Sequence, residues 1–481
     1  MLPTKLAPQT PLFYHDSKTL YSAERFILNN AFSNPTAAPR WKLYFILLVF
    51  LSLLSTAPAL ALDEAPSTNA PAAAIEHWRD MKLGLFIHWG PWSQTGKGSI
   101  WEITHETDPI KRQAYFDLPK TFNPTRFDPA AWASMAKRAG VKYVVFTTKH
   151  HDGFCNFDTA TTDFRITNPQ FPYHASPNAD ITAALTRAFR AAGLGVGLYF
   201  SNLDWHYPGN GFTDQGRLSP DFPRQSPAAW NDYVQFETNQ VHELLGNYGK
   251  IDIFWFDIPW PAQAQSDWLP MLRMMRRQQP NVIIDDRGSG PFADFSTYEQ
   301  AVPAGGVPGP WESNITISEG AGFWYKGPDA QYKSSQQLIR LLADVASKDG
   351  NLLLNIGPGP DGAWAPQEQQ RLSELGDWLA DNGPAIYGTR GSLTDAQPSW
   401  GRVTHNGKKT YLIVFDWPKP GEPLELANGL IGGARKVVRA SLLKRGTEIA
   451  YGTSLDGSTL DLTLPATSPT GAPSVVVLDC E

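Results

Sequence analysis

The sequence predicts an α/β fold: a (β/α)8-like TIM barrel over residues 77–390, followed by a β-sandwich over residues 391–481. Three observations carry that expectation. Apolar runs of strand length alternate with amphipathic helical stretches through the first region. The connections between them are short, a pattern that implies a parallel sheet with right-handed crossovers. From about Gly391 the helical period stops, and short β-rich runs separated by Gly, Pro and Asn turns take over. A doubly wound open sheet is the competing arrangement. However, no Gly-x-Gly-x-x-Gly follows the first strand and no P-loop occurs, which argues against a nucleotide site.

Taken in order, Leu83 to Trp89 reads as the first strand. Asp128-Pro129 opens a helix that Gly140 closes, with a cap, a proline at the first helical position and a glycine stop. Val141 to Lys149 is the next strand, Ile181 to Ala192 a helix stopped by Gly193, and Gly195 to Ser201 a strand. Ser226-Pro227 starts a long helix that ends near Gly249. Ile251 to Asp257 is apolar apart from Asp252 and stops on a carboxylate beside Pro259, as a buried parallel strand ending in an acid would. Asn281 to Arg287 and Asn351 to Gly357 read as strands, Ser334 to Lys348 and Gln367 to Asn382 as helices. In the last region, strands are expected at 410–415, 436–443, 460–464 and 474–478.

The remaining segments bound location and chemistry. Residues 1–61 read as a leader and signal peptide. Arg40 and Lys42 precede an apolar run from Leu43 to Leu60, and Ala59-Leu60-Ala61 offers small residues for cleavage near Ala61. The run is short for a membrane span and Pro58 ends it, so no stable membrane anchor is expected and the mature chain should be secreted or periplasmic. A Pro/Ala/Ser-rich linker covers 62–76. The net charge of −6, with Lys and Arg scattered, excludes a nucleic-acid surface. Cys155 and Cys480 lie too far apart for a spacing argument; Cys155 reads as buried, Cys480 as a tail residue, and a disulfide between them is disfavoured. The 17 Trp, 16 Tyr and 25 Phe are unusually many; much of that must be core, but the excess Trp also suits stacking on sugar-ring faces.

The polar residues gather where strands end. His88-Trp89 closes the first strand, Lys149-His150-His151-Asp152 the second, Tyr199 with Trp205 beyond it the third, Asp257 the fourth, and Asp285-Asp286-Arg287 the next. In barrels of this type, groups at the C-terminal strand ends build the active site. An acid at such a tip costs desolvation energy unless something compensates it, so Asp257 either caps the next turn or does chemistry. Consecutive residues on a strand point in opposite directions, so His150, His151 and Asp152 are not expected to ligate one ion, and no metal or other cofactor is expected. Neutral histidines, aromatics and an arginine around carboxylates suit a polyhydroxylated ligand.

Five segments carry a family resemblance: Gly84-Leu-Phe-Ile-His-Trp-Gly90, Lys149-His-His-Asp-Gly-Phe154, Gly197-Leu-Tyr-Phe-Ser201, Phe254-Trp-Phe-Asp257 and Asn351-Leu-Leu-Leu-Asn-Ile-Gly357. In this order they resemble the motifs of the α-L-fucosidases of glycoside hydrolase family 29. The resemblance implies a retaining exo-glycosidase that releases fucose from glycans by double displacement, with Asp257 as nucleophile. For the acid/base it points to Glu299, in Phe295-Ser-Thr-Tyr-Glu-Gln300, with Glu312 as the alternative. Sugar contacts carry over onto His88, His150, His151, Tyr199 and Arg287, with Trp101 as a wall. Trp89, Trp255 and Trp324 are candidates to face the C5 methyl of fucose. Ile100 stands where many relatives place a sugar-binding glutamate, and Glu102 is the nearest replacement. A fucose-binding protein without turnover, and a glycosidase for a related pyranoside, are the competing expectations. Oligomeric state is not legible in the sequence.

Overall fold

The computed structural model describes residues 67–208, 217–320, 322–391, 397–431, 435–469, 471 and 473–481. The leader, the cleavage site expected near Ala61 and the first part of the linker lie outside the described residues. Eight strands form one sheet: β1 Leu83–Ile87, β2 Tyr143–Lys149, β3 Gly195–Ser201, β4 Ile253–Asp257, β5 Ile283–Ile284, β6 Ser296–Glu299, β7 Trp311–Thr316 and β8 Asn351–Ile356. Their order is β5-β4-β3-β2-β1-β8-β7-β6, with every pairing parallel. The two ends of that order meet at a single parallel bridge between Asp285 and Phe295. The sheet thus curls into the expected (β/α)8-like ring.

The side-chain alternation explains where the site falls. Phe86, Tyr143, Val145, Tyr199, Ile253, Trp255, Ile283 and Leu353 form one cluster inside the ring. Their strand neighbours Leu85, Ile87, Val144, Leu198, Phe254, Phe256 and Leu354 pack with the helices in the outer core. Both faces are therefore apolar, as buried parallel strands require. Stepping by two along β4 leads from Ile253 through Trp255 to Asp257, and along β1 from Phe86 to His88, so both polar groups emerge at the C-terminal mouth of the ring.

The helix signals hold. Asp128 caps Pro129–Arg138 by accepting from the Ala130 and Ala131 amides. Asp180 caps Ile181–Ala191, and Ser334 with Gln337 forms a capping box on Ser335–Ser347. The expected strand over Asn281 to Arg287 is shorter: β5 has two residues, and Asp286–Ser289 is a helical turn. Carboxylates stand in for ladder partners there, since Asp285 accepts from the Phe256 amide at 2.8 Å and Asp294 from the Ile284 amide at 2.8 Å. Strands β6 and β7 were not expected, because their sequences are polar.

The C-terminal region holds a five-stranded antiparallel sheet, Arg390–Gly391, Gly401–Asn406, Lys409–Val414, Val437–Leu442 and Ser474–Cys480, and a three-stranded one, Leu424–Ala427, Ala450–Thr453 and Thr459–Thr463. Val403, Leu412, Leu424, Leu426, Leu462 and Leu478 share one core between them, as a sandwich requires. Cys480 is a buried residue of the last strand rather than a tail residue, and both cysteines are free and buried. Among the described residues, no helix is long and apolar enough to cross a membrane.

Candidate active site

A cavity of about 360 Å³ opens at the C-terminal mouth of the ring, lined among others by His88, Trp101, His150, His151, Tyr199, Trp255, Asp257, Arg287, Glu299 and Trp324. Asp257 lines it, and both of its carboxylate oxygens accept hydrogen bonds. Oδ2 accepts from the Tyr199 hydroxyl at 2.8 Å. Oδ1 accepts from Arg287 Nε at 2.9 Å and from the Ile258 amide at 2.9 Å. The acid thus binds the next turn's amide, as a cap does, and also lines the cavity. Ile258 has φ 63°, a left-handed conformation that a β-branched residue adopts only under strain. Burial alone would raise the Asp257 pKa, but Arg287, then His151 and the Tyr199 hydrogen bond, outweigh it and hold the carboxyl below its ordinary value.

Arg287 joins two acids. Its Nη2 lies 2.9 Å from Asp257 Oδ1 and 2.8 Å from Glu299 Oε2. Asp257 is nearly buried, whereas the Glu299 side chain is 43% exposed at the mouth. The guanidinium also lies over the Trp255 ring, 5.3 Å from its centroid.

The histidines are neutral. Burial pulls His88 down to about 3 and His151 to about 4, and pushes His150 well below its ordinary value. His88 Nδ1 lies 2.6 Å from the Asn355 side-chain oxygen, while the Asn355 amide donates to Phe323 O. That carbonyl oxygen can only accept, so Nδ1 of His88 carries the proton and Nε2 is left as an acceptor. His151 Nδ1 pairs with Ser201 Oγ at 2.7 Å, and its Nε2 stands 3.7 Å from Asp257 Oδ2. The His150 ring stacks on Tyr199, centroids 5.2 Å apart at 12°.

The two adjacent histidines both enter the cavity, contrary to the strand-alternation expectation, with ring centroids 4.1 Å apart. They follow the end of β2, where the chain has left the strand and period two no longer applies. The register also shifts between Thr147 and Lys149, and Lys149 points outward to Glu237 at 3.1 Å. Donor atoms of His150, His151 and Asp257 come within 4.8 Å of one another. An ion there would share its carboxylate with the Arg287 guanidinium, and like charges at that range repel.

The remaining expectations divide. Trp101 forms a wall against His151, centroids 4.9 Å apart, and Trp324 packs edge-on to His150. Trp255 lines the cavity, but Trp89 packs away from it among Phe122, Phe127 and Trp132. Ile100 is buried and lines the cavity. Glu102 opens the short helix Glu102–His105, and its side chain lies outside what the structure describes. The structure does not bring Glu312 to the mouth. It is 1% exposed inside the ring, bound by the Tyr143 hydroxyl and by Trp255 Nε1. Sequence reasoning missed Asn314, Phe323 and Arg217, which also line the cavity. Asn314 would have followed from a strand at β7; the other two sit on loops with no periodic signal.

The family model for α-L-fucosidase matches residues 56–384, two-thirds of the chain. The chain belongs to the α-L-fucosidase family. It is 30% identical over 412 residues to an α-L-fucosidase of Branchiostoma floridae, covering 78% of this chain and 86% of that one. Among solved structures, α-L-fucosidase isoenzyme 1 from Paenibacillus thiaminolyticus superimposes with a TM-score of 0.74 at 35% identity, over 85% of this chain and 99% of that one. A family 29 α-L-fucosidase from Bacteroides thetaiotaomicron, trapped as a covalent intermediate with 2-fluoro-fucosyl fluoride in a glutamate-to-glutamine variant, matches at TM-score 0.72 and 27% identity, over 86% and 99% of the two chains. An α-L-fucosidase family fold thus surrounds a cavity to which all of the described site candidates but Glu312 and Trp89 contribute.

Proposed function

We propose that this chain is a secreted retaining α-L-fucosidase in which Asp257 is the nucleophile and Glu299 the acid/base. One observation carries the residue assignment: the shared Arg287 nitrogen. With each oxygen within 2.9 Å of that atom, the two carboxylates approach each other to less than those two bonds laid end to end. Retaining glycosidases separate their carboxyls by ~5–5.5 Å, inverting ones by ~6.5–9.5 Å. Asp257, ionised and aimed into the cavity, attacks the anomeric carbon as the leaving oxygen takes a proton from Glu299. The resulting glycosyl ester is then hydrolysed by a water that gives its proton back to Glu299. Neutral His88 and His151 suit hydroxyl recognition, and the aromatic lining of Phe86, Trp255 and Trp324 suits the C–H faces and methyl of fucose.

Cleavage near Ala61 and delivery to a periplasm or the exterior belong to the same proposal, supported by the apolar run from Leu43 to Leu60. A panel of aryl glycosides tests the activity, comparing α-L-fucoside with α-L-galactoside and α-D-galactoside, with and without chelator. Fastest release from the α-L-fucoside, unchanged by chelator, is expected. Preference for another pyranoside would favour the second reading, which Ile100 at the usual glutamate position supports. Binding of fucose without turnover would leave only a lectin-like role.

A further inference from the structure

We infer that Glu312 is a positioning residue for the nucleophile: inside the ring it fixes the Trp255 indole, which in turn supports Tyr199 and Arg287, two of the groups that bind Asp257. This rests on the assignment of Asp257 as nucleophile. Glu312 is the second residue of β7, and Asn314, the next inward position, already lines the cavity. Its carboxyl therefore lies one layer beneath the site, where barrels ordinarily place aliphatic side chains. Buried there, with its pKa raised to about 7 by burial, it accepts from Tyr143 through Oε2 and from Trp255 Nε1 through Oε1 at 3.1 Å. An indole has one donor, so this bond sets the rotation of the ring about its side chain.

The orientation matters because of what the indole touches. One neighbour is the Tyr199 ring, stacked at 5.6 Å and 22°, whose hydroxyl donates to Asp257 Oδ2. The other is the Arg287 guanidinium over its face, which donates to Asp257 Oδ1. Glu312 thus reaches both carboxylate oxygens of Asp257 through a single side chain, without itself lining the cavity. A buried acid with no charged partner is otherwise an expensive way to fill a barrel layer.

The test is a double-mutant cycle on the full chain, read as kcat and KM for an aryl α-L-fucoside. Glu312→Leu and Trp255→Phe are each expected to lower kcat/KM about 10- to 100-fold, the cost of a misplaced reacting group. Glu312→Gln keeps an acceptor for the indole and is expected to stay within about threefold of wild type. The combined Glu312→Leu/Trp255→Phe variant should be no slower than the worse single one, since Glu312 then has nothing left to hold. If the leucine variant does not fold, Glu312→Asp, which withdraws the carboxyl by one methylene, enters the same cycle. Multiplied losses in the double variant, or undiminished turnover in both Glu312→Leu and Glu312→Asp, overturn the inference while leaving the fucosidase assignment intact. Loss in Glu312→Gln confined to poor leaving groups would make Glu312 the acid/base and overturn both the inference and the Glu299 assignment. Absence of wild-type turnover removes the assignment on which the inference depends.

Discussion

Asp257 and Glu299 are bound to the same nitrogen of Arg287, at 2.9 and 2.8 Å, although they end strands on opposite sides of the closing bridge of the ring. One acid is buried and hydrogen-bonded through both oxygens; the other is half exposed. Under the proposed assignment the two do different work, and removing each should leave an opposite stereochemical signature.

Removing the proposed nucleophile should open the face it occupies. Asp257→Gly is expected to lose turnover of an aryl α-L-fucoside by several orders of magnitude while remaining folded. Added azide should restore it and give a fucosyl azide of β configuration. Near-normal turnover without azide would remove Asp257 from the reaction.

Removing Glu299, the proposed acid/base, should leave Asp257 in place. Glu299→Ala should slow substrates with poor leaving groups by about 10²–10⁴, the usual worth of positioned proton transfer. Dinitrophenyl fucosides should form the intermediate nearly as fast as with wild type, and azide should now give the α-configured product. Equal losses on good and poor leaving groups would point to another residue.

Arg287 lowers the Asp257 pKa after burial has pushed the other way. A carboxylate nucleophile must be ionised, so with Asp257 in the proposed role activity is expected above that depressed value and should be lost as pH falls through it. Arg287→Met should move the acidic limb of the kcat/KM profile to higher pH. The stability contributed by the pair follows the same sign, present above the ordinary carboxylate range and lost as pH falls through the depressed value. An unmoved acidic limb would mean that another group sets it.

Glu368 has the reverse sign. Burial raises it to about 7 from 4.5, although the Gly357 and Ala365 amides both donate to it. Its stabilising effect is complete below the unfolded value and lost as pH rises through the folded one. Between about pH 5 and 8, wild type should therefore lose melting temperature relative to Glu368→Gln. A gap that stays constant across that range would contradict this.

Gly153 permits the turn that carries both histidines. It has φ 85°, and a Cβ there would meet Asp204 Oδ1 at 2.0 Å, an atom that caps the turn at His206 and Tyr207. Gly153→Ala should destabilise by about 1–3 kcal/mol or more through strain and displacement of Asp204. Denaturant midpoints measure this; an unchanged midpoint would mean that Asp204 moves freely.

Much of this site was legible because strand tips announce themselves. An apolar run that stops on Asp257, or on His88, needs only period two to aim that residue into the mouth. The failures also have physical causes. β7 is buried throughout yet reads as polar, since Ser313 and Thr316 satisfy their hydroxyls on the carbonyls of Ala301 and Ser318. No periodicity separates Glu299, at the mouth, from Glu312, one layer beneath it. Only the pairing of β6 with β7, Thr297 beside Glu312 and Glu299 beside Asn314, shows that their heights differ by a full step.

The single bridge between Asp285 and Phe295 has a consequence for how the protein fails on heating. Most joints of the ring are stitched by several ladder bonds. At this one, carboxylates substitute for the ladder, with Asp286 clasping the Thr297 amide at 3.0 Å and its hydroxyl at 2.8 Å. Segments held by the fewest backbone bonds open first. Parting this seam draws the strand that carries Glu299 away from the turn that carries Arg287, while Asp257 stays seated on β4. Catalysis should therefore fade several degrees before the barrel melts, and amide exchange should be earliest along Ile283 to Glu299.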